Sequence, residues 1–176
     1  MDTPKELNDI LNSGDTVRFH TVGGITKHNV ADHSWGVAVL LQSLWPECSK
    51  NALLRALYHD CAETVTGDVP FTVKQDNPTI KQSLEALESK WEHEYGLYED
   101  MKVSKKEERQ VKVCDCLQGM YYCLKRRLAG EYEAEVPFDR WRKYLNTEQL
   151  DTIMDSEKAR AFYQYLTGQM EYVRSN

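Results

Sequence analysis

Residues 53–63 read L-L-R-A-L-Y-H-D-C-A-E. Leucine and alanine recur at helical spacing, with no alternation of strand type. The stretch predicts an apolar helix over Asn51–Glu63, preceded by Ser49 as its N-cap. Its last turn turns polar at His59, Asp60 and Glu63, and the turn residues Gly67 and Asp68 follow at once. Adjacent His and Asp side chains diverge on a helix, so both reach one ion only where that ion lies near the helix end. Glu63, three residues past Asp60 and four past His59, shares their face. A buried helix does not tolerate such a cluster without a compensating cation.

Helical patterns continue on both sides. Pro4–Asn12 carries Leu7, Ile10 and Leu11 and stops at Gly14; Val30–Trp45 reads as a buried helix closed by Pro46. Thr79–Tyr95 is amphipathic through Ile80, Leu84, Leu87 and Trp91. Ser104 with Glu107 forms a capping-box pattern for a long helix to about Ala129, with Gly130 just beyond. Phe138–Leu145 reads as a short helix, and Thr147–Val173 as helical with a break at Asp155–Ser156. Asp15–Asn29 is irregular around Gly23–Gly24, and Thr64–Asn77 reads as a loop. Strand alternation is absent. The expectation is an all-α fold, a compact bundle of about six or seven helices, with residues 1–176 forming one domain.

Composition narrows the function. The 176 residues are 41% apolar, enough for a core without staples. The formal charge of -6 argues against a nucleic-acid binder, which needs a basic face. Mean hydropathy is -0.64 and no run of 18 apolar residues occurs, so no membrane span is expected. The acidic start, Met1–Leu11, does not read as a signal peptide, and the expected location is the cytoplasm. Cys48, Cys61, Cys114, Cys116 and Cys123 follow no disulfide or zinc-knuckle spacing and read as small buried thiols.

Two further positions complete a candidate centre. His33 sits near the start of an apolar helix in V-A-D-H-S-W-G, and Asp115 sits mid-helix in V-K-V-C-D-C-L. Alone, His33 reads as a structural histidine more readily than as a ligand, and Asp115 as either ion-paired or ligating. Together with His59 and Asp60 they offer two imidazoles and two carboxylates from three helices. That mixed nitrogen and oxygen set suits a divalent transition ion better than Mg²⁺ or Ca²⁺. His93 reads as solvated, and His20 and His28 as flanks of the glycine loop. Tyr121, Tyr122, Met120, Trp141 and Tyr144 read as packing or oligomer contact.

The segments R-F-H-T-V-G-G-I-T-K-H-N-V-A-D-H-S (Arg18–Ser34), A-L-Y-H-D-C-A-E-T-V-T-G-D-V-P-F-T-V-K (Ala56–Lys74) and V-K-V-C-D-C-L (Val111–Leu117) resemble the HD-domain phosphohydrolases. Among these, the bacterial 5′-deoxynucleotidases and compact phage dATP triphosphohydrolases are the most similar branch. The resemblance implies an HD-domain helical fold in which His33, His59, Asp60 and Asp115 hold a divalent metal (Co, Mn, Zn, Fe or Ni, with Mg possible). It implies catalytic roles for Glu63 and Asp68 in handling the water and the leaving oxygen, and phosphate contacts for Arg18, Lys74 and Lys112. Phe19 stands where the bacterial enzymes often carry Trp, near sugar and base. The implied function is hydrolysis of 2′-deoxynucleotides. The glycine pair and the short chain favour a dATP (dNTP) triphosphohydrolase, with a 5′-deoxynucleotidase acting on monophosphates as the alternative. A non-catalytic nucleotide sensor is the reading from another class. The implied partners are a small-molecule deoxynucleotide and further copies of the chain in a homo-oligomer, with no nucleic acid and no membrane. For a phage-encoded chain the location would be the host cytoplasm.

Overall fold

The computed structural model describes residues 3–97 and 102–176, so Met1, Asp2 and residues 98–101 of the expected 1–176 domain lie outside the described residues. Seven helices of nine residues or more dominate them: α1 (Pro4–Ser13), α2 (Val30–Leu44), α3 (Lys50–Tyr58), α6 (Pro78–Glu94), α7 (Lys105–Leu128), α8 (Glu135–Glu148) and α10 (Glu157–Ser175). Three shorter ones, α4 (Glu63–Thr66), α5 (Phe71–Asp76) and α9 (Leu150–Met154), fill the connections. The all-α class follows, and no described helix is long and apolar enough to cross a membrane.

The bundle is organised around α7, whose middle, from Val113 to Met120, is buried on every side. Val113, Cys114, Cys116, Leu117, Met120 and Cys123 are all fully buried. They pack with Val37, Leu41 and Leu44 of α2, Ala52 and Ala56 of α3, Phe138 and Leu145 of α8, and Leu166 and Met170 of α10. Each large side chain so buried stabilises the fold by about 1.5–3 kcal/mol. The cysteines are free thiols, four buried and Cys48 half-buried, as their spacing implied.

Local signals in the sequence place the helix starts. Ser49 Oγ accepts from Ala52 N at 3.1 Å, and Ser104 forms the capping box with Glu107. Glu107 also reaches sideways and accepts from Ser49 N at 2.9 Å, which fastens the start of α3 to the start of α7. The break at Asp155–Ser156 is present: Ser156 Oγ caps α10 at Ala159 N and donates to Leu44 O at 2.9 Å.

Four expectations are corrected. The helix over Asn51–Glu63 ends at Tyr58. Amides of Cys61, Glu63, Thr64 and Val65 each donate to the carbonyl three residues back, a tighter winding that separates α3 from α4. The irregular segment 15–29 contains a two-residue antiparallel pairing, β1 (Val17–Arg18) with β2 (His28–Asn29), too short to show alternation. The loop over Thr64–Asn77 is largely wound into α4 and α5, and the short helix over Phe138–Leu145 extends to Glu135–Glu148.

Hydrogen bonds from Ser49 and then Ser104 hold the Glu107 carboxyl down at about 2. A depressed folded value contributes stability above the ordinary glutamate value, and that stability is lost as pH falls towards the folded value. Replacing Glu107→Gln therefore lowers the unfolding free energy at pH 7. The gap from the parent chain narrows between about pH 4.5 and about pH 2 in urea titrations. A gap independent of pH would refute this account of the α3–α7 fastening.

Candidate active site

Four separate stretches of chain meet at one point. α2 brings His33, the tight turn after α3 brings His59 and Asp60, α7 brings Asp115, and β1 brings Arg18. His33 Nε2 lies 3.5 Å from Asp60 Oδ2 and 3.2 Å from Asp115 Oδ1, and His59 Nε2 lies 3.3 Å from Asp60 Oδ2. Ligand atoms of His33, His59 and Asp60 all fall within 4.8 Å of one another. The sequence expectation placed His59 and Asp60 inside a helix; the tight winding after Tyr58 instead lets both turn inward.

The opposite nitrogen of each ring decides the chemistry. His59 Nδ1 lies 2.9 Å from Ala56 O, and a carbonyl can only accept, so the proton sits on Nδ1. His33 Nδ1 lies 2.5 Å from Gln118 Oε1, which fixes the same tautomer. Both Nε2 atoms are then bare lone pairs, buried, and without a hydrogen-bond partner among the described residues. Burial also lowers the His59 pKa. Two inward lone pairs beside two carboxylates are the donor set that a divalent cation requires.

The remaining residues line a cleft above this point. Arg18, Phe19, Glu63, Asp68, Lys74 and Lys112 all border it, along with Asp60 and Asp115. Arg18 is buried and pairs with Asp60, and its Nη1 lies 3.6 Å from Glu63 Oε2. Lys74 Nζ lies 3.7 Å from Glu63 and 3.9 Å from Glu88, and Lys112 Nζ lies 2.6 Å from Asp115 Oδ2. Phe19 adopts φ 59, a left-handed conformation that costs a bulky residue about 1–2 kcal/mol. That turn lets Phe19 N donate to Asp68 Oδ2 at 3.2 Å, while Lys27 Nζ donates to Phe19 O at 2.7 Å.

Charge coupling sorts the acids. Burial alone would raise Asp60, but the Arg18 guanidinium paired with it keeps the carboxyl below the usual carboxylate range. Lys112 likewise overcomes burial to keep Asp115 well below the usual range. Glu63 goes the other way: burial and then the Asp60 charge push it up to about 9, against Arg18 and Lys74. A divalent cation beside Asp60 would draw that value down again.

Some site residues escaped the sequence reading. Gln118 orients His33, and it fits only because Gly36 has no side chain: a Cβ there would lie 2.8 Å from Gln118 Cγ. Trp141, read as packing, borders the cleft and meets the Phe19 ring edge-on at 5.8 Å. Pro137, Arg140 and Trp141 border it together, a spacing of three and four that marks one face of α8. Tyr122 does pack, stacking on Phe19 at 5.2 Å and on His28 at 4.2 Å. His20 and His93 are exposed and stand apart from the cleft lining.

Comparison with known proteins agrees with this geometry. The YfbR-like 5′-deoxynucleotidase family profile matches residues 16–170. A 5′-deoxynucleotidase of Photorhabdus laumondii is 27% identical, over 78% of this chain and 82% of that protein. One from Enterobacter sp. strain 638 is 28% identical, over 78% and 81%. Among solved structures, a Pyrococcus horikoshii protein superposes with a TM-score of 0.68 at 20% identity, covering 92% of this chain and 99% of its own. The cyanophage S-2L HD phosphohydrolase DatZ, solved with dA and one catalytic Zn²⁺ bound, gives 0.63 at 18% identity over 100% of this chain and 99% of its own. With the fold, the family profile and the curated relatives in agreement, the chain belongs to the YfbR-like 5′-deoxynucleotidase family and is a metal-dependent phosphohydrolase.

Proposed function

We propose that the chain is a 5′-deoxynucleotidase, releasing inorganic phosphate from 2′-deoxynucleoside 5′-monophosphates. The observation that carries this reading is the pair of bare Nε2 atoms on His33 and His59, converging on Asp60 below a cleft bordered by Arg18, Lys74 and Lys112. His33, His59, Asp60 and Asp115 would hold a divalent ion, and their mixed donors suit Zn, Mn, Fe, Co or Ni more than Mg. Such an ion supplies Lewis acidity, activating water and offsetting phosphate charge. Arg18 offers the phosphate a planar fork, while Lys112 and Lys74 act as point charges. Glu63 and Asp68 take the proton of the attacking water and return one to the leaving O5′.

Charge favours the monophosphate over the triphosphate that the sequence reading preferred. Arg18, Lys74 and Lys112 each already face a carboxylate, so little positive charge is left over at this end of the cleft for a longer phosphate chain. The family match points the same way. Incubation of the metal-supplemented chain with dAMP, dGMP, dCMP, TMP and dATP tests the assignment: orthophosphate from monophosphates is expected. Triphosphate from dATP alone would restore the triphosphohydrolase, and tight binding without turnover would leave a sensor.

Asp60→Ala is expected to abolish metal uptake and turnover together. Gln118→Leu frees the His33 ring and is expected to weaken metal affinity about 10–100-fold. Elemental analysis after dialysis reads both; full metal content in Asp60→Ala contradicts the ligand set, and in Gln118→Leu the orienting role of Gln118. Glu63→Ala is expected to keep metal and nucleotide binding while kcat falls about 10²–10⁴-fold. A near-parental kcat would remove Glu63 from proton transfer.

A further inference from the structure

The α8 side of the cleft has no part in phosphate chemistry as derived above. Its three lining residues differ in depth: Pro137 is buried, Trp141 half-buried and Arg140 exposed. Trp141 is held in place by the absence of a side chain opposite, since a Cβ on Gly119 of α7 would lie 2.6 Å from the indole Cη2. Gly119 follows Asp115 by one helical turn, so the helix that carries the carboxylate also seats the indole.

The cleft lining runs in a defined direction. Asp60 and Asp115 lie at the His33 and His59 end, and Arg18 pairs with Asp60. Phe19 follows Arg18 in the chain, and Trp141 meets the Phe19 ring at 5.8 Å. Arg140 follows at the rim. With a phosphate at the carboxylate end, Phe19, Trp141 and Arg140 are lining residues left to face the sugar and base. Arg140 is the exposed cation of that lining.

Arg140 differs from the other cations of the cleft, because it has no ion-pair or hydrogen-bond partner among the described residues. Its guanidinium is donor-only and fork-shaped. Guanine presents two acceptors side by side, O6 and N7, to such a fork. Adenine places an amino donor beside N7 and would set donor against donor. Resting on the deoxynucleotidase reading, we propose that the Pro137–Arg140–Trp141 face of α8 is the base-selecting wall of the cleft, with Arg140 selecting guanine. This runs opposite to the adenine preference expected from the sequence.

The test compares dGMP with dAMP in the metal-loaded chain and in Arg140→Ala and Arg140→Lys. The parent is expected to favour dGMP by about tenfold in kcat/KM, a modest bidentate discrimination, and both variants are expected to bring that ratio close to one. Lys keeps the charge and loses the fork, so a ratio preserved in Arg140→Lys would overturn the proposal. So would an equal loss for both bases, or a loss confined to nucleoside di- and triphosphates, which would make Arg140 a phosphate contact. Equilibrium binding of dGMP and dAMP to metal-loaded Glu63→Ala, with and without Arg140→Ala, gives the same comparison without turnover. A chain that hydrolyses no monophosphate but binds dGMP about tenfold better through Arg140 would refute the deoxynucleotidase reading and leave the base-selecting wall standing. Equal binding of the two nucleotides would refute the wall alone.

Discussion

Two buried imidazoles that both keep their proton on Nδ1 are the constraint on which the site depends. The carbonyl of Ala56 and the side chain of Gln118 take those protons, and the bare Nε2 atoms then face Asp60. Either ring turned over would present a proton to the carboxylates and lose its lone pair for a cation. The two partners have different origins. Ala56 lies three residues before His59, in the last turn of α3, so that bond is local. Gln118 comes from α7, 85 residues away from His33, and depends on the packing of α2 against α7. The space it occupies exists because Gly36 carries no side chain.

The same packing explains how an acidic chain binds an anion. The cleft sets cations against carboxylates at close range: Arg18 with Asp60 and Glu63, Lys74 with Glu63, Lys112 with Asp115. These pairs hold Asp60 and Asp115 ionised despite burial, whereas burial and the neighbouring Asp60 charge drive Glu63 towards its protonated form. Carboxylates with opposed tendencies in one cleft divide the labour of a hydrolysis, some to hold charge and another to handle protons. The net charge of -6 sums the whole chain and says nothing of this local balance.

Backbone strain at Phe19 has a structural role that the surroundings maintain. Its left-handed turn aims Arg18 at the carboxylates while the Phe19 amide faces Asp68. Lys27 fastens the carbonyls of Phe19 and Val22, and Glu131 accepts from both Thr26 N and Thr26 Oγ1. The ring is clamped between Tyr122 and Trp141. A strained residue persists where neighbours over-determine it, and here they place an aromatic wall next to the phosphate end of the cleft.

Much of this was legible in the residues alone. Apolar spacing located the long helices, caps at Ser49 and Ser104 located their starts, and the H…HD…D set with Glu63 and Asp68 named residues that the fold brings to one cleft. These signals are local, or are carried by chemically unusual residues in apolar surroundings, so they survive in a one-dimensional string. The end of α3 at Tyr58, the two-residue β pairing, the Gln118 partner of His33 and the inward face of Trp141 were not legible. Each arises between segments far apart in sequence, or in a turn whose hydrogen bonds no spacing rule encodes. Packing around α7 decided them, because only a close-packed interior determines which lone pair faces which carboxylate and which aromatic ring closes a cleft.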